Sequence, residues 1–402
     1  MKKILSIISF FTCYHSQAQI NYAKQMASTI MNQYKDSMVV KKYASHLEQD
    51  KLPEGNRPAN WNYEIGVVLM GFERLSKYTG DTIYLQYTKH IIDHFINADG
   101  SIRTYVMEEY NSDFIPPARQ LLHLYERYKD EKYKKAATIL REQISWQPRN
   151  KIGGFWHKLK YPTQMWLDGL YMLEPFYAEY SVINDQPQYF NDIINQFVWM
   201  EKYSRDAKTG LLYHGWDESK LQRWANPQTG LSPEFWSRSM GWYMMALVDV
   251  LDFIPKNHPR RNELRNILNR LSAAIIKFQD AKSGVWWQVT DKAGKEKNYL
   301  ESSGTAMFVF ALAKAVRLKY IPQSFNAALQ KAYNGMIKEF VKEDANGQYH
   351  YMQAVAGAGL GGIPYRDGSY EYYVNEPKRD DDLKAIGPFI QACIEMELLK
   401  KK

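Results

Sequence analysis

Two cysteines in 402 residues leave little room for covalent bracing. Cys13 falls in an apolar stretch at the very start of the chain, so removal of that stretch leaves Cys393 alone and no internal disulfide can form. Long apolar runs are scarce too. Beyond the start, no segment approaches the roughly 18 uninterrupted apolar residues that span a bilayer, which argues against a membrane protein. A basic block is also missing. The formal charge of +8 is modest for the length, and Lys and Glu alternate along the chain. That pattern reads as a solvated surface and argues against a nucleic-acid partner; the alternative is a basic cleft that draws in an anionic ligand. No His/Cys cluster has metal-ligand spacing and no serine nucleophile elbow occurs. No Pro/Gly/Ser linker divides the chain.

What is present begins with Lys2 and Lys3, an apolar run from Ile4 to Tyr14, and Ser16-Gln17-Ala18. This order reads as a secretory signal, residues 1–18, cleaved after Ala18, and predicts export to the periplasm or the medium. Residues 19–402 are then expected to form a single domain. Aromatic residues make up 14% of the chain, with eleven Trp and thirty Tyr, a supply that suits sugar-ring platforms as well as core packing.

One punctuation recurs: a turn containing Gly, followed by a short aromatic-rich extended run. The markers Gly100, Gly154, Gly210, Gly284 and Gly347 stand 54, 56, 74 and 63 residues apart, a period that signals a repeat architecture. Between them the apolar spacing is helical. Ile65, Val68, Leu69, Phe72 and Leu75 share one stripe; so do Leu264, Ile267, Leu268, Leu271, Ile275 and Phe278, and again Phe325, Ala328, Leu329, Ala332 and Met336. Each unit is therefore a helix pair. Five marked units and an unmarked one around Trp61-Asn-Tyr-Glu64 give six, which predicts an all-α (α/α)₆ barrel with short β-hairpins at one rim. The longest irregular stretch, Ala354 to Arg379, has the length of a functional or mobile loop. Its Gly357-Ala-Gly359-Leu-Gly361-Gly362 run is no dinucleotide loop, since Pro364 follows where a helix should open and no strand precedes it.

Polar residues inside apolar runs mark the candidate chemistry. Asp168 stands in Met165-Trp-Leu-Asp-Gly-Leu-Tyr-Met172. Desolvation there would raise its pKa toward what a general acid needs, while a helix cap is the structural alternative. Asp113 lies 55 residues earlier, one repeat length, so neighbouring hairpins can present both carboxylates at one rim, the usual equipment for glycoside chemistry. Arg238, between Trp236 and Trp242, can clamp a carboxylate while the indoles stack on a sugar, or form a buried ion pair. His214 fits a catalytic, binding or core role.

At these residues the chain resembles the unsaturated rhamnogalacturonyl hydrolases, glycoside hydrolase family 105, over nearly the whole of its length after the signal. The segments that carry the resemblance are Gly153-Gly-Phe-Trp-His-Lys158, Tyr161-Pro-Thr-Gln-Met-Trp-Leu-Asp-Gly-Leu-Tyr-Met172, Leu212-Tyr-His-Gly-Trp-Asp-Glu218, Phe235-Trp-Ser-Arg-Ser-Met-Gly-Trp242 and Tyr365-Arg-Asp-Gly-Ser-Tyr-Glu-Tyr-Tyr373. The resemblance implies the (α/α)₆ barrel, no cofactor, and a hydration reaction on an oligosaccharide whose terminal uronic acid carries a C4–C5 double bond. It assigns Asp168 as the acid/base, Asp113 as the second carboxylate, and His157, Trp166, His214, Trp236, Arg238, Trp242 and Tyr63 to the uronate pocket, with Arg238 on the uronate carboxylate. Arg366 and Tyr372, on the long loop, are expected to contact the next sugar. Ser112 departs from the pattern beside Asp113. The competing readings are an unsaturated glucuronyl hydrolase acting on glycosaminoglycan fragments, a sugar epimerase using His157 and His214, and a sugar-binding toroid without catalysis.

Overall fold

The structure is a computed structural model and describes residues 19–35, 37–38 and 59–401. The secretory signal read at residues 1–18 lies outside the described residues. In chain order the helices are α1 (residues 19–33), α2 (Tyr63–Thr79), α3 (Ile83–Asp93), α4 (Ala118–Tyr128), α5 (Glu131–Trp146), α6 (Leu167–Ile183), α7 (Phe190–Ser204), α8 (Ser237–Phe253), α9 (Arg261–Lys277), α10 (Ser302–Arg317), α11 (Asn326–Phe340), α12 (Tyr370–Asn375) and α13 (Leu383–Lys400).

Two kinds of helix alternate, and their composition says why. α8 is buried from Ser237 through Leu251, and α10 from Ser302 through Val316, because each is apolar around nearly its whole circumference. α9 and α11 are amphipathic: Leu264, Ile267, Leu268, Leu271 and Ile275 are buried on one, Leu329, Ala332 and Met336 on the other, with charged faces outward. The even-numbered helices α2, α4, α6, α8 and α10 touch in that order; α13 packs against both α10 and α2 and closes the ring. α3, α5, α7, α9 and α11 lie outside it. α1 supplies the remaining outer helix: Thr29 donates to the Tyr349 carbonyl and Gln33 to Asp381, just before α13. The expected six-hairpin helical barrel is the fold.

Ring closure depends on a close approach of α13 to α2. A Cβ on Gly387 would lie 2.3 Å from the Val67 carbonyl oxygen, and that oxygen is backbone, so it cannot swing aside. Gly387→Ala is expected to lower unfolding stability by about 1–3 kcal/mol, the usual cost of overpacking, read from urea denaturation.

The glycine turns lie between each outer helix and the next inner one, so they share one rim. Gly100, Gly210, Gly284 and Gly347 have φ between 77° and 90°, in the left-handed region. In the second unit the residue that takes this conformation is Gly153, φ 97°, rather than Gly154. Gly154 is small for another reason, since a Cβ there would meet the Met165 sulfur at 2.2 Å. Among the described residues only one of these turns makes a regular ribbon, β3 (Val341–Glu343) with β4 (Tyr349–Tyr351); those at Gly100, Gly153 and Gly210 close on single bridges, and that at Gly284 on backbone hydrogen bonds of Asp280 with Gly284 and Val285. The other ribbons join segments of different turns. β1 (Gln164–Trp166) pairs antiparallel with β2 (Gly215–Asp217), and β5 (Ala354–Val355) with β6 (Lys378–Arg379). The stretch 354–379 is thus not irregular throughout: β5 and β6 tie its ends together and α12 folds within it.

Candidate active site

Inner helices that all begin at one rim bring their first turns together there. Asp168 and Arg238 occupy the second positions of α6 and α8, and Tyr63 the first of α2. Helix N-termini carry partial positive charge, so this rim favours an anion.

The β1–β2 pairing sets the centre. Met165 faces Trp216 across the ribbon, and the Leu167 N–H donates to the His214 carbonyl at 3.0 Å. His214 is thereby held beside the start of α6, with Nε2 3.1 Å from Asp168 Oδ2. The helix cap is Trp166, not Asp168; Asp168 stands in the first turn and its Oδ2 has no well-aligned partner among the described residues. The opposite side of the imidazole is occupied, because Nδ1 lies 2.7 Å from the Tyr373 hydroxyl.

Asp113 reaches the same rim from a short 3₁₀ turn, Ser112–Phe114, ahead of α4. Its Oδ2 is paired with Lys158, and its Oδ1 lies 3.9 Å from His157 Nε2. His157 stacks on Trp166 with ring centroids 4.4 Å apart, and Trp166 stacks in turn on Tyr161 at 4.8 Å. Burial first, then the Lys158 charge, hold the His157 imidazole well below its ordinary pKa, so it is neutral. Its Nδ1 is 3.2 Å from the Ser112 hydroxyl. The residue that departs from the expected pattern therefore touches the imidazole and orients it.

Arg238 is 1% exposed, its guanidinium 5.1 Å above the Trp236 ring, and its Nη1 has no partner among the described residues. A buried cationic N–H without an acceptor is costly unless a ligand supplies one. The tryptophans differ from the expected open platforms. Trp236 is covered by Tyr373, His214 and Arg238, and its indole N–H donates to Gln288; Trp242 is wedged between Tyr63 and Tyr171. With about 1% exposure each, they form the wall of the pocket rather than free stacking faces. Tyr63 is half-buried beside Trp242, and burial, with Glu64 and Asp113 nearby, pushes its hydroxyl well above the usual pKa.

The two long-loop candidates part company. Arg366 donates to the Gly361 and Leu360 carbonyls and to the Tyr161 hydroxyl, which sets its charge against the Tyr161–Trp166 stack at the edge of the site. Tyr372 turns away: its hydroxyl accepts the Gly359 N–H and braces the loop from within. Its neighbour Tyr373 is the one that enters the site. Lys158, Tyr161 and Tyr373 are thus the residues to which the sequence assigned no role. Lys158 and Tyr373 adjoin named candidates, His157 and Tyr372, and that adjacency was the available signal. Among the described residues no group of three or more His, Cys, Asp or Glu side chains can hold a metal ion, and no helix is long and apolar enough to cross a membrane.

The model of Glycosyl Hydrolase Family 88 matches residues 22–400. A family 105 glycoside hydrolase structure from C. acetobutylicum ATCC 824 superposes with a TM-score of 0.87 at 43% identity, covering 94% of this chain and 99% of that one. Protein Atu3128 of Agrobacterium fabrum is 40% identical over 233 residues, 56% of this chain and 99% of its own length. The unsaturated rhamnogalacturonyl hydrolase YesR of Bacillus subtilis is 26% identical over 277 residues, 67% of this chain and 75% of that protein.

Proposed function

Because the chain belongs to Glycosyl Hydrolase Family 88 and to the family 105 enzymes that its motifs resemble, we propose that it removes the terminal 4,5-unsaturated uronic acid from pectin-derived oligosaccharides. Asp168 gives its proton to C4, and the positive charge left at C5 is shared with the ring oxygen. Water adds at C5 and returns a proton to Asp168. The resulting hemiketal breaks its C5–ring-oxygen bond to leave a ketone, and the hemiacetal then exposed at C1 expels the rest of the oligosaccharide as an alcohol. One water is consumed and nothing is oxidised or reduced.

The observation that carries this reading is Arg238 Nη1, a buried guanidinium N–H without an acceptor among the described residues, lying against the same Trp236 ring that contacts His214 of the His214–Asp168 pair. A uronate carboxylate satisfies that N–H, and a planar guanidinium binds carboxylate in fork geometry. Asp113, neutralised by Lys158, is suited to the ring hydroxyls rather than to proton transfer. His157, Trp166, Trp236, Trp242 and Tyr63 shape the uronate pocket, and Arg366 lies where the leaving sugar would emerge. Export is proposed as well, supported by Lys2, Lys3 and the apolar run that follows them.

The test follows ultraviolet absorbance of the conjugated uronate as purified protein acts on lyase-generated rhamnogalacturonan fragments. Decay of that absorbance is the expected result. Decay only on unsaturated glucuronyl disaccharides would keep the chemistry and replace the substrate; no decay on either would overturn the reading.

A further inference from the structure

We infer that Tyr373 is a positioning residue: it fixes the tautomer of His214 and so keeps the proton of Asp168 from being drawn onto the imidazole. α12 carries Tyr373 into full burial, with its ring against Trp236 at 5.9 Å and its hydroxyl 2.7 Å from His214 Nδ1. Gln288 holds both partners of that ring contact, donating to the Tyr373 carbonyl and accepting from the Trp236 indole. Burial pushes the phenol well above its ordinary pKa, so it remains an O–H donor.

A neutral imidazole carries one N–H, and its place decides what Asp168 faces. With the hydrogen on Nδ1, the Nε2 lone pair would lie beside a carboxylate oxygen 3.1 Å away. That contact is repulsive while Asp168 is ionised, and it becomes a proton acceptor once Asp168 is protonated. With the Tyr373 hydroxyl donating to Nδ1, the hydrogen sits on Nε2, 3.1 Å from Oδ2 but not aligned on it as a hydrogen bond. Neither ring nitrogen then offers a lone pair to the acid. The proton of the acid form is left on Oδ1, free to reach a substrate carbon.

The second histidine has a related setting: the Ser112 hydroxyl lies at His157 Nδ1, and His157 Nε2 is 3.9 Å from Asp113 Oδ1. The catalytic consequence rests on the proposed hydration reaction, whereas the tautomer does not.

The experiment uses the full chain labelled with ¹⁵N-histidine, with His214 signals identified by their loss in His214→Gln, and long-range ¹H–¹⁵N correlations to report which ring nitrogen is protonated. Wild type is expected to show Nε2–H. Tyr373→Phe keeps the ring against Trp236 and is expected to move the signals toward Nδ1–H, while Tyr372→Phe leaves them in place. Tyr373→Phe should also lower kcat about tenfold, the scale of one lost neutral hydrogen bond, with KM nearly unchanged. Nδ1–H in wild type, or the same tautomer after Tyr373→Phe, would overturn the assignment, and so would an altered tautomer with unaltered kcat. Were Tyr373→Phe not to fold, the wild-type spectrum alone decides: Nε2–H supports the assignment and Nδ1–H rejects it. A wild type without turnover on any unsaturated uronide would sink the reaction proposed above and leave the tautomer to the spectrum.

Discussion

Asp168→Asn is expected to lower turnover on unsaturated oligosaccharides by about 10²- to 10⁴-fold, the contribution of a positioned acid/base, and to leave substrate affinity within a few-fold of wild type. The two carboxylates of the rim are not equivalent. Asp113 is paired with Lys158, whose ammonium occupies its Oδ2. Among the described residues Asp168 has no Lys or Arg in contact, only the His214 imidazole with Tyr373 behind it. Asn keeps the size and an acceptor oxygen, so the pocket formed by Arg238 and the buried indoles should still hold substrate. Titration calorimetry on the inactive variant would measure that affinity directly. Turnover within tenfold of wild type would remove Asp168 from the acid/base role and turn attention to Asp113.

Much of this arrangement was legible before any coordinates, because two of its determinants are local. Helical stripes such as Leu264 to Ile275 report which face is buried, and glycine turns report where the chain reverses. The family resemblance rested on contiguous segments, and it is upheld by the family match along the chain. The parts that could not be read are those fixed by pairing between distant segments. Gly153 and Gly154 are adjacent, and only the packing of Met165 against one of them shows which takes the turn. Tyr372 and Tyr373 are adjacent as well. Their rings touch, yet the hydroxyls part, one to the Gly359 N–H and one to His214, and that follows from the phase of a six-residue helix in a stretch with no apolar period to reveal it. The alternation of Lys and Glu suggested a solvated surface, yet Asp249, Arg119, Lys314, Glu64, Asp382 and Lys384 are all buried.

Those inward charges are where stability is expected to be most sensitive. Asp249 is fully buried on α8, eleven residues beyond Arg238 and so about 16 Å along the helix from the site at 1.5 Å per residue. Its carboxylate binds Arg74 of α2 and Lys314 of α10 at 2.7 Å, and Arg119 of α4 at 2.9 Å; Arg119 continues to Glu179 of α6 at 2.6 Å. One anion thus joins four of the six inner helices and reaches a fifth through Arg119. Inner helices that are apolar all round can slide or rotate with little penalty, and a shared buried ion is a means of fixing their register. Asp249→Ala is expected to lower unfolding free energy by about 3–5 kcal/mol, since it strands cations without an acceptor, while turnover per folded molecule stays at the wild-type level. Urea denaturation gives the first quantity and the absorbance assay the second; a loss below about 1 kcal/mol would show that the cations find other acceptors or water. The network also sets a pH window. Burial opposes charge on His123, but Glu73 and Glu179 outweigh it and push its pKa up to about 10. A raised folded-state pKa stabilises fully below the unfolded value near 6.5, and that contribution disappears as pH rises through about 10. Glu179 runs the other way: despite burial, Arg119 and His123 hold it down to about 2, so its contribution is lost as pH falls toward 2. Wild type should therefore melt at lower temperature at pH 10 than at pH 6.5, and His123→Gln should flatten that difference.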